Sequence, residues 1–118
     1  IQVNGPKEEL DFTYIDDVVI GIADASVSEN TDNMTYNITR GRSRTLLEAA
    51  ELAVKIVGKG RIKINDPDNN FPSRGQLNTT KAYNDFGFTP TINIEEGFLE
   101  YYDWLINNPI YGFKKTVS

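Results

Sequence analysis

The strongest constraint in this chain is a helix written into residues 45–58. Thr45 and Glu48 stand three residues apart, the spacing at which a hydroxyl and a carboxylate trade hydrogen bonds with the first free amides of a helix. Leu46, Ala50, Ala53 and Val57 then recur at helical spacing, and Gly58 stands where a helix stops. A helix of this kind carries one apolar stripe, so the rest of the chain must supply a surface to cover it.

The flanking segments read as short strands and three more helices. Residues 1–4 alternate as a strand before the Gly5-Pro6 turn, and residues 11–15 have aromatic and β-branched strand composition, suited to pairing with the opening segment through that turn. Asp16 or Asp17 is placed to cap a helix to about residue 27. Residues 34–39 (MTYNIT) form a further strand candidate ending at Arg40-Gly41, and residues 61–65 (RIKIN) alternate as a half-buried strand. Residues 66–75 are a loop rich in Pro, Asp and Asn. Thr79 or Thr80 is placed to cap a short helix that stops at Gly87. Asn93 and Glu96 repeat the capping-box spacing ahead of a closing helix marked by Ile94, Phe98, Tyr101 and Leu105 and ended before Pro109. The expected architecture is α/β, with helices near residues 16–27, 45–57, 80–86 and 94–107 joined by short strands. No internal repeat or domain boundary interrupts it, and the abrupt opening on a strand suggests a chain cut from something longer.

Composition narrows the chemistry. The 118 residues suffice for one domain, and 39% hydrophobic with 25% charged residues is a globular balance. Seventeen acidic residues against twelve basic ones give a net charge of -5, which argues against nucleic acid as a partner. No cysteine and no histidine are present, so no metal site is expected and neither a thiolate nor an imidazole is available for catalysis. The longest mainly apolar run, residues 18–25, is too short to span a membrane, and a cytoplasmic location is expected.

The catalytic inventory is thin. No glycine-rich dinucleotide fingerprint follows a strand, and no Gly-x-Ser-x-Gly elbow is present. No catalytic and no cofactor-binding residue is therefore assigned. Asp16 and Asp17 read as helix caps rather than an acid/base pair. The candidates for binding are arginines, whose planar guanidinium grips phosphate with parallel hydrogen bonds. Arg74 stands between Pro72 and Gly75 in the polar loop, and Arg42 lies in the Arg40, Arg42, Arg44 cluster beside Gly41. The bland reading of each is a solvated charge. Tyr14 could stack on a base or sugar, or simply belong to the core.

Three stretches in this order, residues 11–19 (DFTYIDDVV), 36–51 (YNITRGRSRTLLEAAE) and 77–105 (LNTTKAYNDFGFTPTINIEEGFLEYYDWL), resemble the carboxyl-terminal half of the extended short-chain dehydrogenase/reductase family. Within that family they look like NAD-dependent nucleotide-sugar epimerases and dehydratases of the UDP-glucose 4-epimerase kind. Two departures stand out. The family arginine before Asp-Phe, which contacts the substrate diphosphate, is Leu10 here, and the family's Arg-Pro-Gly-Asp loop becomes Pro72-Ser73-Arg74-Gly75.

The resemblance implies a substrate-binding portion, residues 1–118, whose amino-terminal Rossmann domain, glycine fingerprint and catalytic tyrosine and lysine lie elsewhere. It implies NAD as cofactor of the parent protein, a nucleotide-sugar as substrate, Arg74 as a diphosphate contact, and no activity from this chain alone. A dehydratase or reductase on similar sugars, or a non-catalytic nucleotide-sugar-binding module, are the alternatives.

Overall fold

The computed structural model describes residues 1–70 and 74–108. Its elements run β1 (Gln2–Asn4), β2 (Glu9–Leu10), α1 (Ile15–Val27), β3 (Arg44–Thr45), α2 (Leu46–Val57), β4 (Lys63–Asn65), α3 (Thr80–Phe86) and α4 (Ile94–Asn107). This is the expected α/β architecture, with the four helices where sequence placed them.

Helices α2 and α4 start for the reason their sequences give. Thr45 Oγ1 accepts from Glu48 N at 3.1 Å while Glu48 Oε2 accepts from Thr45 N at 2.8 Å. Asn93 and Glu96 make the same exchange at 2.8 and 3.1 Å. Gly58 ends α2 at φ 75°, a left-handed conformation that costs glycine nothing. The two helices pack together, and Arg44 ties them, 2.7 Å from Glu95 and 3.3 Å from Glu48. The expected stop at Pro109 lies outside the described residues.

The strands depart from expectation. β1 pairs in parallel with β4 (Gln2 opposite Lys63, Val3 opposite Ile64, Asn4 opposite Asn65), while β2 pairs antiparallel with β3 (Glu9 opposite Thr45, Leu10 opposite Arg44). No hairpin joins the opening segment to residues 11–15. The turn at Gly5 docks instead on the start of α2, where Leu47 N donates to the Pro6 carbonyl and Leu46 N to that of Glu8, sending the chain away from β1. Residues 11–14 are irregular and Ile15 already opens α1.

Residues 34–39 are not a strand either. Strand propensity is expressed only where a neighbouring strand accepts the ladder, and no described segment lies beside this one as a partner. Side chains hold it instead. The Tyr36 ring meets Phe86 edge-on at 5.0 Å, Asn37 Nδ2 donates to the Asn78 carbonyl, and Ile38 lies against Gly21.

Neither Asp16 nor Asp17 caps α1, whose N-cap is Tyr14 with no side-chain hydrogen bond; nor does the Thr79 side chain cap α3. Asp17 is turned inward, 4% exposed, onto the amides of Thr91 and Ile92. α1 buries only the narrow face of Asp17 and Gly21, where a Cβ on Gly21 would stand 2.7 Å from both Ile38 Cγ2 and Phe88 Cε2. Its other faces leave Ile15, Val19, Ile20 and Ile22 more than half exposed.

The core is correspondingly thin: Val3, Ala49, Ala50, Ala82, Phe88 and Ile94. The radius of gyration is 17.0 Å, against roughly 13 Å for a compact unit of this size. The chain forms a flat, open layer rather than a closed globule.

Candidate functional site

β1, β2, α2 and α4 enclose a cleft of about 620 Å³. Val3, Leu10, Phe12, Leu46, Ala49, Ala50, Ala53 and Phe98 give it a mainly apolar lining, and Phe12 meets Phe98 edge-on at 6.4 Å. Polar groups gather on it from three directions: Glu8 and Glu9 from the first turn and β2, Asp68 and Arg74 from the long loop. An apolar floor with a few convergent polar groups is the usual character of a small-molecule site.

Arg74 is brought to this cleft by backbone pairing. Leu10 and Gly75 form an isolated parallel bridge, and Gly75 N donates to the Glu9 carbonyl at 3.2 Å. The residue after Arg74 is thereby fastened beside Leu10. Arg74 itself is exposed. Its neighbours Pro72 and Ser73 lie outside the described residues.

The other arginines separate. Arg40 is a structural clamp, its Nη1 donating to the Pro90 carbonyl at 2.8 Å and its backbone N to Thr13 Oγ1 at 2.9 Å. Arg44 serves the α2–α4 pair, and the Arg44 guanidinium holds the Glu95 carboxyl below its ordinary value. Arg42 is exposed and does not line the cleft.

Tyr14 also stands apart from the cleft. Its ring packs on Gly97, where a Cβ would sit 2.9 Å from Tyr14 Cδ2. Partial burial, followed by the charge of and hydrogen bond to Glu100, raises its phenol above the ordinary value, so it is protonated near neutrality.

Asp11, to which sequence reasoning gave no role, and Asp17, which it read as a helix cap, organise the surroundings. The Asp11 carboxylate accepts from Thr39 Oγ1, Gly41 N and Leu77 N, and the Asp17 carboxylate from Thr91 N, Thr91 Oγ1 and Ile92 N. The available signal was an aspartate embedded in a run of strand-forming residues, where an unpartnered charge would be costly.

None of the described helices offers a dinucleotide phosphate site. The starts of α2 and α4 are occupied by their own Glu48 and Glu96, α1 has Asp16 and Asp17 in its first turn, and α3 spans only seven residues. Among the described residues, no helix start is open to the pyrophosphate of NAD. Among the described residues, no helix is long and apolar enough to cross a membrane.

No family model matches the chain. Among curated proteins it is 30% identical over 101 residues to an uncharacterized protein of Methanocaldococcus jannaschii, covering 85% of this chain and 31% of that protein. Among solved structures, a UDP-glucose 4-epimerase of Thermotoga maritima, determined with UDP-glucose, superposes with a TM-score of 0.77 at 27% identity, over 90% of this chain and 35% of that one. The chain shares the fold of the extended short-chain dehydrogenase/reductases. Its likeness is to their carboxyl-terminal part. The same fold recurs in a UDP-glucuronic acid 4-epimerase of Bacillus cereus bound to UDP-glucuronic acid and NAD (TM-score 0.79, 24% identity, 90% and 35% coverage). It recurs again in an epimerase of Methanothermobacter thermautotrophicus (TM-score 0.87, 18% identity, 93% and 34% coverage). The chain spans about a third of the length of the relatives it matches.

Proposed function

We propose that residues 1–118 are the substrate-binding part of an NAD-dependent nucleotide-sugar epimerase or dehydratase, whose Rossmann domain lies elsewhere in the intact protein. The observation that carries this reading is Arg74 on the rim of an apolar cleft, fastened beside the Leu10 position where the family pattern places a phosphate-binding arginine. A guanidinium at that place can grip a diphosphate from the opposite strand of the same bridge.

In this reading the apolar lining with Phe12 and Phe98 receives the flat base. Arg74 holds the diphosphate, and Glu8, Glu9 and Asp68 accept hydrogen bonds from sugar hydroxyls. Three carboxylates on the rim disfavour a bare phosphate, so the contact with Arg74 carries the more weight. NAD, held by the companion domain, supplies the hydride chemistry, and this chain's residues bind and orient the sugar.

The test is calorimetry of UDP and UDP-glucose with the full-length protein that contains this chain. Arg74→Ala is expected to weaken binding by roughly ten- to a hundred-fold, the worth of a charge-assisted bidentate contact, and Arg42→Ala by less. Unchanged affinity for Arg74→Ala overturns the assignment of the diphosphate contact.

A further inference from the structure

The Asp11 carboxylate takes hydrogen bonds from three separate residues, yet Asp11 does not line the cleft. Its Oδ2 accepts from Thr39 Oγ1 at 2.9 Å, Gly41 N at 3.0 Å and Leu77 N at 3.1 Å. Its Oδ1 lies 3.1 Å from Gly41 N as well. One carboxylate thus joins segments 28, 30 and 66 residues away along the chain.

The last of these bonds bears on the site. Gly75 N is held by the Glu9 carbonyl, and Leu77 N by Asp11, with only Gln76 between them. The chain after Arg74 is therefore pinned at two points on consecutive stretches of the β2 region, and the long loop before it has no comparable anchor among the described residues. Among the described residues, removing the Leu77 contact leaves a single 3.2 Å hydrogen bond and one bridge to set where the Arg74 side chain begins. An arginine is a long, rotamer-rich side chain, and its contribution to binding depends on how much of its freedom is lost beforehand.

We propose that Asp11 is the positioning residue that holds Arg74 over the cleft, by pinning Leu77 N. This rests on the reading of Arg74 as the phosphate contact. Asp11 works without touching ligand. It differs in this from Leu10 and Phe12 on either side, which line the cleft directly.

The experiment uses the full-length protein with UDP and uridine as probes, because their affinity ratio isolates the phosphate contact from the base. Asp11→Asn keeps one acceptor oxygen but puts an amide where an N–H donor arrives, and is expected to lower the UDP-to-uridine ratio about three- to ten-fold. In the Arg74→Ala background the same change is expected to add nothing, because the guanidinium being positioned is gone. Amide exchange at Gly75 and Leu77 is expected to rise at least about ten-fold in Asp11→Asn while that of α2 stays unchanged. Leu77→Pro removes the loop arm while leaving the Thr39 and Gly41 contacts of Asp11 in place, and serves if Asp11→Asn folds poorly; Thr39→Val deletes another arm and is expected to leave the ratio intact. Additive losses in the double variant, an unchanged ratio, or equal loss in Thr39→Val overturn the proposal. If Arg74→Ala alone leaves UDP binding unchanged, the phosphate reading fails, and unchanged exchange at Gly75 and Leu77 in Asp11→Asn then separately overturns the pinning.

Discussion

Asp17 and Thr91 are joined by two hydrogen bonds, from the Thr91 amide at 3.0 Å and its hydroxyl at 3.2 Å, and the same carboxylate takes the Ile92 amide at 2.9 Å. This fastens the first turn of α1 to the segment that leads into α4. Asp17→Ala strips three donors of their acceptor and is expected to cost about 2–4 kcal/mol in denaturant unfolding. Asp16→Ala, one residue earlier and exposed, is expected to stay within about 0.5 kcal/mol. Equal effects would return Asp17 to the role of a mere helix-start charge.

Two helix glycines reverse the usual rule that alanine improves a helix interior by about 1 kcal/mol. A Cβ at Gly21 meets Ile38 Cγ2 and Phe88 Cε2 at 2.7 Å, and one at Gly97 meets Tyr14 Cδ2 at 2.9 Å. Gly21→Ala and Gly97→Ala are each expected to destabilise by about 1–3 kcal/mol, the cost of overpacking. Thermal or urea unfolding decides the sign.

The Arg44–Glu95 pair gives an acid-side pH dependence. The Glu95 carboxyl is held below its ordinary 4.5, first by the hydrogen bond from Arg44. Its stabilising effect is therefore present above pH 4.5 and is lost as pH falls through the lowered value. Both side chains are more than a third exposed, which limits the effect to at most about 1 kcal/mol. Urea unfolding at pH 7 and pH 3 is expected to show a smaller acid loss in Glu95→Gln than in the native sequence.

Tyr36 gives a spectroscopic check on the strap at residues 34–39. Partial burial and then the hydrogen bond to Asp85, 2.7 Å away, push its phenol up to about 12. That bond is present below the ordinary value of 10 and is lost as pH rises through about 12. Phenolate absorbance is expected to show a late-titrating tyrosine that moves toward 10 in Asp85→Asn.

The exposed stripe of α1 contributes little to the fold of this chain. Ile15, Val19 and Ile22 are 60%, 55% and 58% exposed. Val19→Ser and Ile22→Ser are expected to change unfolding free energy by no more than about 0.5 kcal/mol each, against about 2 kcal/mol or more for Ile94→Ala in the core. A large loss at Val19 would mean that this face is packed after all.

The starts of α2 and α4 and the αL stop at Gly58 were legible because each is decided within a few residues: Thr45 finds Glu48, Asn93 finds Glu96, and glycine alone adopts the closing conformation freely. The candidate Arg74 was legible as residue chemistry, a guanidinium in a constrained loop. What it faces was not, since the cleft is made of residues from β1, β2, α2 and α4. The strand expected at residues 34–39 failed because a strand is a relation between segments, and none of the described segments offers it a ladder of backbone hydrogen bonds. Asp17 looked like a helix cap and Asp11 carried no local signal of its role, and both bind amides from 30 to 75 positions away. By itself the sequence determined where α2 and α4 begin and where α2 ends, through residues three or four positions apart and a closing glycine; only the tertiary structure decided which strands pair, which carboxylates are buried and where Arg74 stands, because each of those depends on a partner brought from far along the chain.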